Sequence, residues 1–463
     1  MATRPGEAVP ARDGYLFAAL LATLAWLPVP YGSTAYWAWR LLSILSLALL
    51  AIWAASLSRG AAPPSPALRQ SLPICALLAA FLLLLLLQAI PLPRSVVGVL
   101  SQAAVAFREL ATEEPDLGWV TLSLDPGATL GSFLKATGYV AVFVLTLALT
   151  TTRQRQRLVA YLLVSVAAAN ALWGIAAVLA SDSDVTRAMG TFGNPNLFAG
   201  LLEIGIPFAL GTMVASYPVH ARFAGWRDHA AGLVDWLLSW KVVALYGALF
   251  AMIAALVASG SRGGALSLLA AIGVASGLVY LTRPSGAGSR ALAAVVALLL
   301  ALGVGLLLGE SQLLQRLLAE NVALAGSGRL AFAQVSLEMA RDFPAFGIGA
   351  GGWHYLYPLY RLPAASSYDY PLHAHNDHAQ LLAESGVIGY LLLGGAILLA
   401  LKSNVGGLVR QRDPTARGML FASLAASLSL LFHALGDNNF QVPSTTAYFF
   451  VALAVGLVAA RLT

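Results

Sequence analysis

Residues 72–91, LPICALLAAFLLLLLLQAIP, are a run of twenty residues without a charged side chain. As an α-helix such a run is about 30 Å long, which is the thickness of the hydrocarbon core of a bilayer. The whole chain of 463 residues has the same character, because 59% of its residues are hydrophobic, only 10% are charged and the mean hydropathy is +0.77. Soluble domains are far more polar. The sequence therefore predicts an all-α polytopic membrane protein.

Apolar runs of similar length recur along the chain between charged residues and clusters of Gly and Pro. The one cysteine, Cys75, lies inside such a run, so the sequence predicts neither a disulfide framework nor a cysteine-based metal site. The runs predict about twelve transmembrane helices, near 15–31, 37–56, 72–91, 133–151, 157–180, 197–215, 242–259, 264–281, 291–308, 386–402, 418–435 and 446–461.

The distribution of basic residues predicts the orientation in the membrane. Seven short segments hold 17 of the 27 Lys and Arg residues but only 5 of the 21 Asp and Glu residues. The positive-inside rule places these segments, and with them both termini, in the cytoplasm. The pI of about 9.5 therefore reflects topology and not nucleic-acid binding, and the first apolar run is predicted to be retained, not cleaved as a signal peptide. The segments are 1–14, 57–71, 152–157, 216–241, 282–290, 402–417 and 461–463.

Two segments on the predicted outer side are too long to be turns, 92–132 and 309–385. The second is the larger, is predicted to be partly helical and precedes the tenth predicted span. It opens with an amphipathic stretch at 311–325 that can lie on the membrane surface. The chain thus divides into N-terminal spans with the first outer segment, central spans, the large outer segment and C-terminal spans, at 1–132, 133–308, 309–385 and 386–463.

The larger outer segment combines a glycine-rich stretch with many aromatic residues. Residues 342–352 contain Pro344 and several glycines, which predicts a tight, irregular loop. Further on, Ser385-Gly386 is expected to end a short helix or to bend it into the next span. The aromatic residues suit two roles, stacking on sugar rings or anchoring at the membrane interface; they are Trp353, Tyr355, Tyr357, Tyr360, Tyr368 and Tyr370.

Three of the seven histidines lie within six residues near the end of this segment, His373, His375 and His378. With Asp377 they have the residue types of a Zn or Mn site, although no His-Glu-x-x-His pattern accompanies them. Asn376 or Asp377 is a good N-cap for the following helix, which places His375 at the helix N-terminus. Because the positive end of the helix dipole disfavours imidazolium, His375 is predicted to be neutral and able to accept a proton. The alternative is a structural histidine that caps the loop.

Five short motifs, all on the predicted outer side, together resemble the O-antigen ligase and polymerase superfamily over about residues 185–400. This resemblance implies a bacterial inner-membrane enzyme that works on glycans carried by undecaprenyl diphosphate, at the periplasmic face and without a metal or another cofactor. It also implies transfer to lipid A core, to another glycan chain or, in some relatives, to a protein. The motifs are Gly190-Thr-Phe-Gly-Asn-Pro-Asn196, Ser259-Gly-Ser-Arg-Gly-Gly264, Gly328-Arg-Leu330, Pro344-x-x-Gly347-x-Gly349, and His375-Asn376 with Leu381 to Gly389.

Such a transfer needs cations to hold the lipid diphosphate and a base to take the proton of the acceptor hydroxyl. Arginine suits the first task, because its planar fork pairs with phosphate. Arg187, Arg262 and Arg329 all lie on the predicted outer side next to small residues. We predict His375 and Arg262 as catalytic residues, with Arg187 and Arg329 as diphosphate ligands. The alternative for each arginine is contact with lipid head groups.

Further polar residues are predicted to bind substrate. Asn376, Asp377 and His378 would line the acceptor site or support His375. Asn194 precedes Pro195 and an apolar run, a pattern that predicts either a plain helix start or an anion site at a helix N-terminus near Arg187. Glu203 follows Asn196 by seven residues, which places it about 10 Å further along that helix at 1.5 Å per residue. An intramembrane carboxylate indicates function, and the predicted partner of Glu203 is an outer arginine.

Two other classes of membrane protein compete with the transferase. A transporter would concentrate unusual polar residues within its spans and show inverted repeats. A lipid-linked glycan flippase or structural partner would leave the large outer segment without a role. Because the polar residues gather at one predicted face, the transferase is favoured. Its predicted partners are an undecaprenyl-diphosphate-linked glycan donor, a saccharide acceptor such as lipid A core or a growing glycan, and membrane lipids, but no nucleic acid.

Overall fold

The computed structural model describes residues 11–59, 64–111, 118–181, 187–216, 226–282, 320–361 and 371–462. These residues form seventeen α-helices, which confirms the all-α prediction. The β structure within them is an antiparallel pair of two-residue strands, β1 (Leu92–Pro93) and β2 (Trp119–Val120). Two 3-10 helices are η1 (Tyr31–Ser33) and η2 (Asn439–Gln441).

The α-helices, in chain order, are α1 (Ala11–Trp26), α2 (Tyr36–Ser58), α3 (Pro66–Gln70), α4 (Leu72–Ala89), α5 (Arg94–Leu100), α6 (Gln102–Ala111), α7 (Pro126–Leu149), α8 (Arg153–Leu179), α9 (Pro195–Ser216), α10 (Trp226–Leu238), α11 (Trp240–Ser259), α12 (Arg262–Thr282), α13 (Glu320–Asp342), α14 (Trp353–Tyr360), α15 (Asp377–Arg410), α16 (Pro414–His433) and α17 (Pro443–Ala459).

Within the described ranges, nine helices are long and apolar enough to cross a membrane, namely α2, α4, α7, α8, α9, α11, α12, α15 and α16. The apolar helices α1 and α17 are shorter. Eleven of the twelve predicted spans thus coincide with helices. The remaining span, at 291–308, and the start of the predicted amphipathic stretch, at 311–319, lie outside the described residues. The multi-pass membrane architecture is confirmed, and the number of spans stays a prediction.

The helices α9 and α16 form the centre of the bundle, where most of their residues are buried. They approach closely at Gly211 and Gly418, because an added Cβ on either glycine would collide with the backbone carbonyl of the other. Small residues allow such close packing between helices in a membrane. The two helices bring Glu203 and His433 together inside the bundle.

The two long segments of the predicted outer side fold together. Their described residues, between 92 and 125 and between 328 and 376, share one hydrophobic core, and we call this unit the cap. The core joins side chains of α5, α6 and β2 to side chains of α13 and α14. It includes Val97, Val105, Val120, Phe332, Val335, Met339, Trp353 and Tyr357.

The aromatic residues of the cap differ from the sequence prediction. Trp353 and Tyr357 are fully buried and pack around Phe332, with ring centroids 6.3 and 5.6 Å from it. Neither sugar stacking nor interfacial anchoring applies to these two side chains, because they build the core of the cap. Tyr355 is exposed and keeps both predicted roles open. Tyr368 and Tyr370 lie outside the described residues.

The helix α15 bends where it passes from the cap into the bundle. Gly386 has φ 63° and ψ −174°, a conformation that interrupts the helix. The carbonyl groups of Ala383 and Glu384 instead accept hydrogen bonds from the N–H groups of Ile348 (2.9 Å) and Gly349 (3.0 Å). These donors belong to the irregular loop predicted at 342–352, which we call the glycine loop. The bend predicted at Ser385-Gly386 is therefore present, and the glycine loop satisfies the backbone groups that it frees.

Candidate active site

His375 lies where the cap meets the bundle, next to Asn376, the N-cap of α15. Its Nδ1 atom is 3.2 Å from Oδ1 of Asp437, in the loop that follows α16. A carboxylate at this distance accepts the Nδ1–H and leaves Nε2 as the basic nitrogen of the ring. Among the described residues no group hydrogen-bonds to Nε2. The side chain is 31% exposed, so a substrate can reach it.

Asp437 is almost completely buried, with 3% of its side chain exposed. Its Oδ1 accepts a second hydrogen bond from the N–H of Asn438, and its Oδ2 is 3.3 Å from the guanidinium of Arg329. Burial alone would raise the pKa of Asp437, but the hydrogen bond from His375 and the charge of Arg329 outweigh it, and the pKa is lowered. Asp437 therefore stays a carboxylate and can stabilise a proton on His375.

A second acid–base pair lies directly behind Asp437. Nδ1 of His433 is 2.6 Å from Oε1 of Glu203, and the hydroxyl of Ser429 donates to Oε2 of Glu203 at 2.6 Å. Nε2 of His433 is 4.0 Å from Oδ2 of Asp437. The predicted partner of Glu203, an outer arginine, is therefore wrong. The sequence could not reveal this pairing, because His433 lies 230 residues further along the chain.

Two glycines at the start of α12 allow this helix to approach the buried pair. A Cβ atom on Gly263 would lie 3.2 Å from the ring of His433, and one on Gly264 would lie 2.9 Å from Oε1 of Glu203. The close contact brings Arg262, the first residue of α12, to the same end of the bundle. The Gly-Gly pair of the Ser-Arg-Gly-Gly motif is thus a packing requirement of the site.

Arg187 lies beside the turn that joins α11 to α12. Its Nε donates to the carbonyl of Ser259 at 2.7 Å, and its guanidinium contacts the side chain of Asn196 at 3.3 Å. The pKa of Arg187 is lowered, first by burial and then by the positive charges of Arg262 and Arg329. The three predicted arginines are therefore close enough to repel one another electrostatically. The negative charge of Asp437 acts in the opposite direction and raises the pKa of Arg187.

The predicted substrate ligand Asn194 forms an N-cap, as the sequence indicated. Its side-chain oxygen accepts hydrogen bonds from the N–H groups of Asn196 (2.8 Å) and Leu197 (3.3 Å) at the start of α9. This geometry accounts for Asn194 as a helix start, one of the two predicted alternatives. Contact with a bound anion stays a prediction.

The predicted acceptor ligands also make structural contacts. Asn376 caps α15 through the N–H of Ala379 at 3.0 Å. Asp377 accepts hydrogen bonds from the N–H of Phe440 (2.8 Å) and the amide of Gln441 (3.0 Å), so it holds η2 in place. These contacts fix the two chain segments that carry His375 and Asp437. A direct role of Asn376 or Asp377 in substrate binding stays a prediction.

His378 is the second residue of α15, and its side chain faces α16. Its Nε2 is 3.0 Å from the carbonyl of Leu431, and its Nδ1 is 3.5 Å from the hydroxyl of Tyr390. These contacts fit the supporting role predicted for this histidine. Contact with the acceptor remains untested.

The comparison with protein families addresses the segment that carries most of this site. A family model described as O-antigen ligase matches residues 247–394. The match covers about a third of the chain and supports the resemblance to the O-antigen ligase and polymerase superfamily. The matched segment contains Arg262, Arg329 and His375, while Arg187 and Asp437 lie outside it. The match supports a membrane glycosyltransferase-type function in general. No curated protein matches the chain.

A second group of polar side chains in the matched segment lies around His373. The side-chain amide nitrogen of Gln380 lies 3.4 Å from Nδ1 of His373 and donates to Oε1 of Glu384 at 3.0 Å. Burial, followed by the charge of Lys135 and the neighbouring histidines, lowers the pKa of His373 to about 3. His373 is therefore neutral at physiological pH. Among the described residues, no group of three or more His, Cys, Asp and Glu side chains is arranged to hold a metal ion.

The sequence predicts no role for two residues of the site, His433 and Asp437. Asp437 lies in Gly436-Asp-Asn-Asn-Phe440, whose consecutive polar residues mark the last loop of the predicted outer side. His433 precedes Asp437 by four residues and ends an apolar run, and an ionisable residue at that place is a signal in itself. The partners of these two residues, Glu203 and His375, are distant in sequence. Only the folded structure shows that they are in contact.

Proposed function

We propose that the protein transfers a glycan from undecaprenyl diphosphate to a saccharide acceptor at the periplasmic face of the bacterial inner membrane. The observation that carries this proposal is the contact of His375 with Asp437 beside Arg329, with the charges of Arg187 and Arg262 nearby. A base and a set of cations are the two components that such a transfer needs. The match to the O-antigen ligase family model supports the same class of substrate.

His375 acts as the general base. Its Nε2 accepts the proton of an acceptor hydroxyl, while Nδ1–H stays bonded to Asp437. Asp437 keeps the ring in the required tautomer and stabilises the imidazolium that forms, as a carboxylate does for the histidine of a catalytic triad. Because Asp437 is buried and charged, this stabilisation is stronger than in water.

The transfer exchanges one bond for another. The acceptor oxygen forms a bond to the anomeric carbon of the donor glycan, and the bond between this carbon and the diphosphate oxygen breaks. The bonding electrons leave with undecaprenyl diphosphate, and the acceptor proton moves to His375. The proton is later released to solvent, so the step needs no oxidant, reductant or further reactant.

The arginines stabilise the charge that develops on the leaving diphosphate. Arg262 binds the diphosphate at the start of α12, and Arg187 and Arg329 complete the cationic site. Mutual repulsion between three guanidinium groups is unfavourable without an anion, so a bound diphosphate relieves it. Each arginine that is removed therefore weakens donor binding as well as turnover.

The cap provides the place for the acceptor, because His375 lies at its base. This assignment makes the cap end of the bundle periplasmic and both termini cytoplasmic, in line with the basic residues of the opposite loops. A transporter or a flippase would not require the contact between His375 and Asp437. The transferase is therefore the better account of the described polar residues.

A deletion strain that carries plasmid-borne variants tests this function. We expect His375→Ala to abolish glycan transfer and Arg262→Ala to reduce it nearly as far, with both proteins present in the membrane at normal levels. Arg94→Ala is the matched control, because Arg94 pairs with Glu109 on the exposed side of the cap. Polysaccharide of wild-type amount and length in the His375→Ala strain would overturn the mechanism.

The same strain distinguishes a ligase from a polymerase. Uncapped lipid A core together with long carrier-linked chains in the deletion strain identifies a ligase. Single carrier-linked repeat units identify a polymerase. Gel electrophoresis of lipopolysaccharide and mass spectrometry of the carrier-linked glycans measure the two outcomes.

A further inference from the structure

The contacts of Asp437 extend beyond the residues that the transfer itself requires. One of its oxygens faces His375, and the other faces both Arg329 and His433. His433 in turn contacts Glu203, whose second oxygen is bonded to Ser429. His433 and Glu203 are buried, so neither reaches a substrate. A buried pair of this kind, in contact with a catalytic carboxylate, needs an explanation of its own.

We propose that His433 is an imidazolium held between Glu203 and Asp437, and that it is a positioning residue which fixes the Asp437 carboxylate for His375. This inference rests on the proposed function, because it assumes that His375 is the base. It assigns Glu203 to the support of His433 and not to the binding of substrate.

The hydrogen-bond geometry supports the charged form of His433. Nδ1 of His433 is at hydrogen-bond distance from Glu203 (2.6 Å), and Nε2 is at ion-pair distance from Asp437 (4.0 Å). A neutral ring has one N–H, so one of its nitrogens would then point a lone pair at a carboxylate. An imidazolium has an N–H on each side and suits both partners. The short distance of 2.6 Å between Nδ1 and Oε1 favours a charge-assisted hydrogen bond over a neutral one.

The balance of charge in the buried region supports the same form. Glu203 and Asp437 are almost fully buried, and each needs a nearby cation. Arg329 pairs with Asp437, but its side chain is 42% exposed. With His433 charged, the two carboxylates face two cations. With His433 neutral, Glu203 would have to take up a proton to avoid a buried charge without a partner.

Packing around the pair restricts its geometry. Gly263 and Gly264 of α12 leave space for the His433 ring and the Glu203 carboxylate, and a side chain at either position would intrude. Glu203 is held by Ser429 from the same helix that carries His433. Contacts from α12 and α16 therefore set the orientation of His433. His433 in turn positions Asp437, which orients His375. The charged and titratable groups around this chain of contacts are Glu203, Ser429, Asp437, Arg329, His375, Arg187 and Arg262.

The first test compares His433→Gln and Glu203→Gln with wild type in detergent-solubilised membranes. The donor is the lipid-linked glycan extracted from the deletion strain, and the acceptor is the saccharide fraction of the same strain. We expect kcat to fall about 10-fold to 100-fold in both variants, the range seen when supporting partners of functional histidines are removed. The KM for the donor should stay at the wild-type value, since neither residue touches it. Ser423→Ala is the matched control, because Ser423 lies elsewhere on α16 and its hydroxyl accepts a buried hydrogen bond from the amide of Asn404 in α15.

The second test asks whether the effect of His433 passes through Asp437. In the Asp437→Asn background, His433→Gln should cause little further loss, because its effect passes through Asp437.

The outcomes separate this inference from the proposed function. If wild-type protein transfers glycan and His375→Ala does not, but both glutamine variants keep the wild-type kcat, only the positioning role is refuted. An increased KM with unchanged kcat would also refute it and would return Glu203 to substrate binding. If wild-type protein transfers nothing, the proposed function itself fails. Should His433→Gln not accumulate, Glu203→Gln carries the test of kcat.

Discussion

Asp437 contacts His375 through one carboxylate oxygen at 3.2 Å, although His375 precedes α15 and Asp437 follows α16, 62 residues further along the chain. The contact depends on backbone links between the two segments. The N–H of Asp377 donates to the carbonyl of Ala434 at 2.9 Å, and the amide of Asn376 donates to the carbonyl of Leu435 at 3.0 Å. The start of α15 is thereby tied to the end of α16, so the base and its carboxylate are held by the fold and not by their own bond alone.

Replacement of this carboxylate should remove most of the activity. We expect Asp437→Asn to lower kcat by about 100-fold or more, because an amide neither fixes the Nδ1–H tautomer of His375 nor stabilises its imidazolium. The transfer assay with carrier-linked donor measures the loss. Asn438→Ala is the control, since Asn438 reaches Asp437 through its backbone N–H. Wild-type kcat in Asp437→Asn would contradict the assigned role.

A methyl group at Gly264 should disturb the buried pair. The added Cβ would lie 2.9 Å from Oε1 of Glu203 and 2.9 Å from Cβ of Ala199, closer than side chains normally approach. We expect Gly264→Ala to reduce both kcat and the melting temperature. Gly273→Ala on the same helix has no atom within 4 Å of the new Cβ and should leave both unchanged. Equal behaviour of the two variants would show that α12 does not press against Glu203.

The bend in α15 should tolerate no side chain. Gly386 has a positive φ, which costs an L-residue about 1–3 kcal/mol, and a Cβ there would also collide with the carbonyl of Ala345. We therefore expect Gly386→Ala to lower the melting temperature markedly and to abolish transfer. Gly394→Ala, in the same helix but with open space around it, is the matched control. Fluorescence-detected size exclusion after heating compares the two.

Acid should destabilise the cap through His373. Its pKa is lowered to about 3 in the folded protein, below the ordinary value of 6.5. Between these values the unfolded chain binds more protons than the folded one, so stability falls as the pH drops. At about pH 5 the loss is at most about 2 kcal/mol. We expect His373→Gln to lose less thermal stability than wild type between about pH 7 and pH 5. An identical loss in both proteins would refute the assignment.

The sequence predicted the bundle well because membrane helices are defined locally. A run such as 72–91 contains its own signal in length and hydropathy, and helix starts such as Asn194-Pro195 follow from capping rules. The arginines and His375 were found for the same reason, since each lies in a short motif with unusual polar or glycine content. Their proximity is a prediction that the structure supports through the pKa of Arg187.

The remaining features depend on contacts between distant segments. No local signal defines the register between α9 and α16, so the sequence predicts an arginine and not His433 as the partner of Glu203. The burial of Trp353 and Tyr357 is not predicted, because nothing in their own segment reveals that side chains of α5, α6 and β2 cover them. A hydrophobic core shared by two loops is visible only when both loops are placed together.

The shared core of the cap has a consequence for engineering. Each of its two segments exposes apolar side chains such as Val97 or Phe332 when the other is absent. A chimera that receives the larger loop of a homologue while keeping its own first loop would join two surfaces that were never matched. Attempts to exchange acceptor preference by grafting should therefore move both loops together. The first loop would be cut at the end of α4 and the start of α7, and the second at the start of α13 and the start of α15.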